Sequence, residues 1–134
     1  MDIRAYLAAD RDGCLAVFDS NGMSGREEFT TFLNTSNLYV AEHNGTIVGC
    51  GGFLRHGDAA ELRWGMVGSQ WQRQGVGRFL LFYRLREISK DPAVRSVFLE
   101  TGPAAAPFFL SQGFHETARN GDRIQMAKRL TVCA

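Results

Sequence analysis

The 134-residue sequence predicts a mixed α/β fold: one sheet that is mostly antiparallel, with one parallel and splayed pair of strands and helices on both faces. Two observations lead to this prediction. Asn-Gly pairs at residues 44–45 and 120–121 each separate two strand-like runs, which is the pattern of a β-hairpin. A strand-like run, a long helical run and another strand-like run follow one another across residues 60–101, and this order predicts a right-handed crossover between parallel strands.

The seven predicted strands are short runs rich in β-branched and aromatic residues, bounded by turn residues. They cover residues 3–7, 38–43, 46–54, 60–67, 94–101, 114–119 and 123–130. With four helices between them, the predicted element order is β-α-α-β-β-β-α-β-α-β-β.

Each predicted helix has its own start or stop signal. Asp10 is expected to cap the first helix, and residues 24–27 have the capping-box spacing that opens the second. The third helix, over residues 75–90, is stopped by Asp91-Pro92. The fourth, over residues 104–112, is closed by Gly113. The third helix is expected to bury one apolar face, made of Val76, Phe79, Leu80 and Tyr83.

Composition narrows the class of protein. The 15 basic and 14 acidic side chains leave a net charge of +1, which argues against general nucleic-acid binding. No apolar run approaches the ~20 residues of a membrane span, and residues 1–10 show no signal peptide. Cys14, Cys50 and Cys133 form no metal or redox motif. We therefore expect a single cytoplasmic domain over residues 1–134 with reduced thiols, no metal and no membrane or nucleic-acid partner.

A glycine-rich turn, residues 72–77, stands where the predicted strand 60–67 hands over to the long helix. Gly75 and Gly77 let a ligand approach the backbone, and the unpaired N–H groups of a helix start attract anions. A solvated helix start normally carries Asp or Glu, yet residues 62–86 contain neither and include Arg73, Arg78, Arg84 and Arg86. The pattern predicts an anionic ligand here. The other interpretation is a turn made flexible by its glycines, with arginines on the surface.

The sequence departs from two known phosphate-binding motifs at positions that each motif requires. A P-loop needs a Gly-Lys pair, which the sequence lacks. A dinucleotide fingerprint needs a third small residue where Leu80 stands, and a tight turn in place of the loop 68–74.

The chain resembles the GNAT superfamily of acyl-CoA-dependent N-acetyltransferases over its whole element order, and most closely at residues 61–81, ELRWGMVGSQWQRQGVGRFLL. The family's signature there is a strand ending in Val and a short loop, followed by Gln/Arg-x-x-Gly-x-Gly/Ala opening a helix. Val67, Gln72, Gly75 and Gly77 stand at those positions.

The resemblance implies a site for acetyl-CoA. It implies that backbone at Met66 and Val67 pairs with the pantetheine arm. Gly65, in mid-strand, either marks a bulge that frees those backbone N–H and C=O groups or allows close packing. It further implies that N–H groups of the turn hold the coenzyme A pyrophosphate. The residues of that turn are Gln72, Arg73, Gln74, Gly75, Val76, Gly77 and Arg78.

The resemblance also implies direct attack of a primary amine on the thioester. Glu61 stands where some family members carry the general base acting through water, and strand alternation puts it on the face of Val67. The other interpretation is an ion pair on the solvent side, either with Arg63 or across the strands. The Tyr that often protonates the thiolate is replaced by Phe109, and Gly102 stands where a common Asn is expected; Thr101, Ser111 or solvent could serve instead.

The predicted function is transfer of an acetyl group from acetyl-CoA to a primary amine of a small molecule or peptide. The alternative is a non-catalytic acyl-CoA-binding sensor of the same fold, which the missing Tyr favours. The sequence leaves the amine acceptor, the acyl-chain preference and the oligomeric state open, a homodimer included.

Overall fold

The computed structural model describes residues 1–34 and 37–130. Its strands are β1 (Asp2–Ala5), β2 (Leu38–His43), β3 (Thr46–His56), β4 (Ala59–Val67), β5 (Ser96–Thr101), β6 (His115–Asn120) and β7 (Arg123–Arg129). Its α-helices are α1 (Arg11–Ser20), α2 (Arg26–Phe32), α3 (Val76–Ser89) and α4 (Ala106–Ser111). Short 3-10 turns at Ala8–Asp10 and Ser69–Trp71 complete the order, which confirms the predicted succession of strands and α-helices.

The strands form one seven-stranded sheet in the order β1-β2-β3-β4-β5-β7-β6. Its pairings are antiparallel except that of β4 with β5, which confirms the predicted mixed sheet. The parallel pairing joins Ala59–Glu61 of β4 to Ser96–Phe98 of β5, the first three residues of each strand, and ends there.

The chain divides into two compact units, the first comprising residues 1–53 and 63–87. In this unit a Cβ built on Gly51 would meet Arg84 of α3, whereas one built on Gly52 would meet Phe32 of α2. Successive residues of a strand point to opposite faces, so α2 and α3 cover opposite faces of β3. This confirms the prediction of helices on both faces.

The second unit comprises residues 54–62 and 88–134, of which the structure describes those up to 130. β7 pairs with β5 on one side and with β6 on the other. Gly113 closes α4 with a φ of 91°, and Gly121 sits at 61° in the β6–β7 turn, so both predicted glycine roles are confirmed. Arg55 forms an ion pair with Asp91 just after α3.

The caps of the first two helices differ from the prediction. The Asp10 carboxylate does not cap α1; it accepts the Leu7 N–H at 2.8 Å and pairs with Arg4 at 2.7 Å. Hydrogen bonds from Arg4 lower the pKa of this carboxyl. At α2 the N-cap is Gly25 in a left-handed conformation (φ 92°), without a side-chain cap, so the predicted capping box at Ser24 is wrong.

The buried face of α3 also differs from the prediction. Phe79, expected in the core, is 61% exposed. The helix instead buries a row of positions spaced four apart, of which Val76, Leu80 and Arg84 meet β3 at Gly49 and Gly51, together with Leu81 beside that row. Gly49 of β3 makes room for this ridge, since a Cβ there would lie 3.0 Å from Leu80 Cδ1. The buried residues of α3 are Val76, Leu80, Leu81, Arg84 and Ile88.

Two cysteines, Cys14 and Cys50, are free and buried in the first unit, while Cys133 lies outside the described residues. No described helix has the length and hydropathy needed to span a bilayer.

Candidate functional site

The turn before α3 has the geometry of an anion cradle. Gly75 has a φ of 88°, a left-handed conformation that explains the requirement for glycine there. Its carbonyl accepts the first helical hydrogen bond, from the Phe79 N–H at 3.1 Å. The N–H groups of Val76, Gly77 and Arg78 therefore precede the first helical bond and are left for a ligand.

Gly77 has a different role from Gly75. Its φ lies outside the left-handed region, and a Cβ built on it would make only an ordinary contact, 3.6 Å from Val67 Cγ2. The backbone here would therefore accept a side chain. Val67 is the one described side chain within 4 Å of that Cβ.

The charge around the turn is positive. The side chains of Gln72, Arg73, Gln74 and Arg78 are exposed, and the first turn of α3 contains no acidic residue. In the described part of the chain, neither Arg73 nor Arg78 forms an ion pair. Coenzyme A carries a pyrophosphate, and exposed guanidinium groups beside unpaired N–H groups are the donors that such an anion needs.

The loop is tied down by two side-chain amides. Gln72 Nε2 donates to Asn21 Oδ1 at 2.9 Å and to the Val67 carbonyl at 3.2 Å. Asn21 Nδ2 donates to the same carbonyl at 3.0 Å. The Val67 carbonyl thus accepts two side-chain hydrogen bonds, and the pairing of Met66 and Val67 backbone with a pantetheine arm stays a prediction. Gln72 braces the loop with its side chain, a role the sequence reasoning did not assign to it.

Strand β4 is irregular one residue before the predicted position. Trp64, not Gly65, has a left-handed backbone, with a φ of 56° in mid-strand. The Arg63 guanidinium lies 5.9 Å from the centroid of the Trp64 ring. The left-handed Trp64 interrupts the extended backbone between Glu61 and Val67, and a common face for these two residues stays a prediction.

Glu61 lies on β4 in the second unit, with one-fifth of its side chain exposed. Its Oε1 is 2.9 Å from Nε2 of His56, at the end of β3. The His56 ring also packs against Phe98, with centroids 5.7 Å apart. His56 is thus the partner of the predicted base.

Phe109 stands in α4 with its ring against Phe108 and Phe114. This aromatic packing keeps the position apolar, and no hydroxyl is present there. Ser111 donates its hydroxyl to the Phe108 carbonyl. Thr101 is half-buried at the end of β5.

Three residues near these positions were missed by sequence reasoning: Asn21, His56 and Arg84. No motif in the sequence gave Asn21 or His56 a role. Arg84 was counted with the cations of the glycine turn, but it lies two helical turns further along α3 and is only 4% exposed. A charged residue at four-residue spacing from Val76 and Leu80 was the available signal for its burial.

Comparison with known proteins identifies the family. The acetyltransferase (GNAT) domain family matches residues 8–127, nearly the whole chain. The chain therefore belongs to the GNAT acetyltransferase family. No protein among those with curated functions matches the sequence significantly.

Solved structures share the fold over the whole chain. The ribosomal-protein-S18-alanine N-acetyltransferase of Escherichia coli superposes with a TM-score of 0.86 at 23% identity, covering 99% of this chain and 96% of its own. The PaiA N-acetyltransferase of Thermoplasma acidophilum, solved in complex with coenzyme A, gives 0.78 at 15% identity over 97% and 100%. A ribosomal-protein-alanine N-acetyltransferase from Brucella melitensis gives 0.78 at 21% identity over 97% and 100%.

Proposed function

We propose that this chain transfers an acetyl group from acetyl-CoA to a primary amine of a small molecule or peptide. The observation that carries the proposal is the start of α3, where three main-chain N–H groups precede the first helical bond beside exposed arginines and no carboxylate. The family match runs through both compact units, which supports treating residues 1–134 as one catalytic domain.

The donor is held by main-chain groups in this proposal. The pyrophosphate lies over the turn of Gln72, Arg73, Gln74, Gly75, Val76, Gly77 and Arg78, with Arg73 and Arg78 supplying charge. Met66 and the N–H of Val67 line the pantetheine arm, since the Val67 carbonyl is already engaged by Asn21 and Gln72. Bound acetyl-CoA supplies an activated acyl carbon, and the protein supplies its orientation.

Glu61 is the proposed general base. An ammonium has no lone pair, so the acceptor must lose a proton before its nitrogen can attack the thioester carbon. The Glu61 carboxylate accepts that proton through water; the C–N bond then forms, the C–S bond breaks, and the nitrogen releases its second proton to solvent. His56, at 2.9 Å from Glu61 Oε1, fixes the orientation of the carboxylate.

The departing thiolate needs no enzyme hydroxyl in this scheme. A free thiol has a pKa near 8.5, so its thiolate is a tolerable leaving group close to neutral pH and takes its proton from solvent. This accounts for the apolar packing of Phe109 at the position where many relatives carry a Tyr.

Phe109, which stands in place of a Tyr, also favours a second function. A protein that binds acyl-CoA without turning it over would need the cradle at α3 but no general acid. The alternative is therefore an acyl-CoA-binding sensor of the GNAT fold.

Release of free thiol from acetyl-CoA separates the two functions. The protein is incubated with acetyl-CoA and a panel of amines, amino acids, polyamines and peptides, and thiol is followed with a chromogenic disulfide. A transferase releases thiol only when a suitable amine is present, and the acylated amine is identified by mass spectrometry. Binding of acetyl-CoA without thiol release across the panel would favour the sensor.

A further inference from the structure

Arg84 is a buried cation whose side chain occupies space next to two glycines of the sheet. It projects from α3 toward β3 and β4 and is 4% exposed. A Cβ built on Gly51 would lie 2.8 Å from its Cζ, and one built on Gly65 would lie 3.0 Å from its Nη2. Any other residue at Gly51 would collide with the guanidinium, so these glycines make the space that Arg84 fills.

The guanidinium has main-chain partners but no anionic one among the described residues. Nε donates to the Leu80 carbonyl at 3.3 Å, and Nη1 donates to the Gly52 carbonyl at 3.2 Å. Nη2 makes no hydrogen bond within the described part of the chain, and every described side-chain nitrogen fully removed from solvent has a partner. Nη2 is therefore still accessible, and it is the atom that points at the exposed backbone of Gly65.

Burial makes this charge costly. Desolvation lowers the pKa of Arg84 to about 10. The group therefore remains protonated at neutral pH, although burial has removed the water that would stabilise its charge. Buried charges are normally paired, because carbonyl dipoles alone do not replace a counterion. A ligand carboxylate at Nη2 would complete the pairing.

Gly65 lies where the acyl end of the donor is expected. It directly precedes Met66 and Val67 on β4, and Glu61 lies four residues before it on the same strand. In the proposed function the donor runs from the turn at α3 along Val67 and Met66 toward the base. The acyl group therefore passes Gly65, where no side chain stands between it and Nη2. The pyrophosphate is a separate anion, because Arg84 lies eight residues into α3, about 12 Å from its start.

We propose that Arg84 binds the terminal carboxylate of a dicarboxylic acyl group, such as malonyl, succinyl or glutaryl, so that the chain accepts these CoA thioesters as acyl donors. The inference rests on the proposed function and names the acyl class of that same site. The reaction is otherwise unchanged. The amine nitrogen bonds to the thioester carbon, the C–S bond breaks, the amine proton passes to Glu61 and on to solvent, and the thiolate takes a proton from solvent.

The test is binding without an acceptor amine, by titration calorimetry. Donors are compared in pairs of equal carbon number: malonyl-CoA with propionyl-CoA, succinyl-CoA with butyryl-CoA, and glutaryl-CoA with valeryl-CoA. In at least one pair the parent protein should bind the carboxylated donor roughly tenfold or more tightly, as expected for a buried charge-assisted bond. Turnover with a working amine should show the same preference in kcat/KM.

Two variants locate the effect. Arg84→Met should abolish the preference and leave the affinity for the neutral donor of the pair within about threefold. Arg86→Met, at an exposed arginine of the same helix, should leave the preference intact. The melting temperature of ligand-free Arg84→Met should equal or exceed that of the parent, because replacing a buried charge with an apolar side chain of similar size is often stabilising. Should Arg84→Met not fold, Arg84→Gln takes its place, with the same expected loss of preference.

The outcomes distinguish this inference from the proposed function. If acetyl-CoA binds but no carboxylated donor binds better than its neutral partner, the inference is overturned and the proposed function stands. A preference that persists in the Arg84 variant also overturns it. If no CoA thioester binds to the parent protein, the proposed function itself fails.

Discussion

Glu61 lies on β4, the strand that leads to the turn before α3, and its carboxylate contacts the imidazole of His56 on β3. Their 2.9 Å contact joins a largely buried carboxylate to a half-exposed imidazole. Such a pair can pass a proton from a partly desolvated carboxylate to an imidazole that meets solvent. The chemistry of an amine acceptor requires this removal of a proton.

Glu61→Gln tests the role of the carboxylate. The amide keeps the size of the side chain but accepts a proton poorly, so kcat should fall by about 10²-fold while affinity for acetyl-CoA stays within about twofold. Steady-state kinetics with a working amine and calorimetry with acetyl-CoA measure the two effects. Glu116→Gln, at an exposed carboxylate paired with Arg119, is the control and should leave both quantities unchanged. Activity of Glu61→Gln within a factor of three of the parent would return Glu61 to an ion-pair role.

At the scale of residues, the sequence predicted some members of the site and missed others. Gly75 and Gly77 were found because glycine is informative by itself at a helix start. His56 was missed because its importance comes from a cross-strand neighbour. Trp64 was missed because a left-handed backbone is uncommon for a bulky residue, and neighbouring Gly65 offered the simpler explanation.

At the scale of elements, the decisive feature is the start of α3. Gly75 adopts the left-handed conformation just before the first turn, and the side-chain amides of Gln72 and Asn21 tie the loop to the end of β4. The cradle is thus preorganised by contacts within one compact unit. At Gly77 a side chain can be added without straining the backbone, because its φ lies outside the left-handed region.

Gly77→Leu tests whether this element holds the pyrophosphate. Leu is the better helix former by up to ~1 kcal/mol, so the ligand-free protein should keep or slightly raise its melting temperature. The side chain would occupy the space over the N–H groups. The parent should therefore prefer acetyl-CoA to acetylpantetheine, which lacks the pyrophosphate and nucleotide, and the variant should lose most of that preference.

Acetylpantetheine is the internal control for Gly77→Leu, because its use should be nearly equal in parent and variant. Gly77→Ala should give an intermediate loss, since its single methyl fills less of the space. If Gly77→Leu discriminates between the two donors as well as the parent does, the anion is bound elsewhere.

Elements were predictable where local chemistry determines them. The Asn-Gly turns and Gly113 gave the hairpins and the end of α4 close to their observed positions. The buried face of α3 was less predictable, because a ridge at 76, 80, 84 and 88 includes an arginine. That arginine is accommodated only because β3 and β4 supply Gly51 and Gly65 from distant parts of the chain. Hydropathy alone favoured Phe79 instead, which the structure exposes.

At the scale of the whole molecule, strand order follows from a few constraints. Two hairpins and one crossover were enough to predict a mixed sheet with a single parallel pair, and the observed sheet has it between β4 and β5. The amine acceptor does not follow from such constraints. It depends on the shapes of surface loops, which vary within a fold while the strand order is kept.

The central claim is that the native protein binds acetyl-CoA through the cradle at α3, and the melting temperature with and without the donor tests it most directly. Acetyl-CoA at about 100 times its dissociation constant should stabilise the native state by about 2.7 kcal/mol. For a chain of this size that corresponds to a rise of several degrees. Acetylpantetheine at the same concentration should raise the melting temperature much less. No rise at millimolar acetyl-CoA would contradict the account.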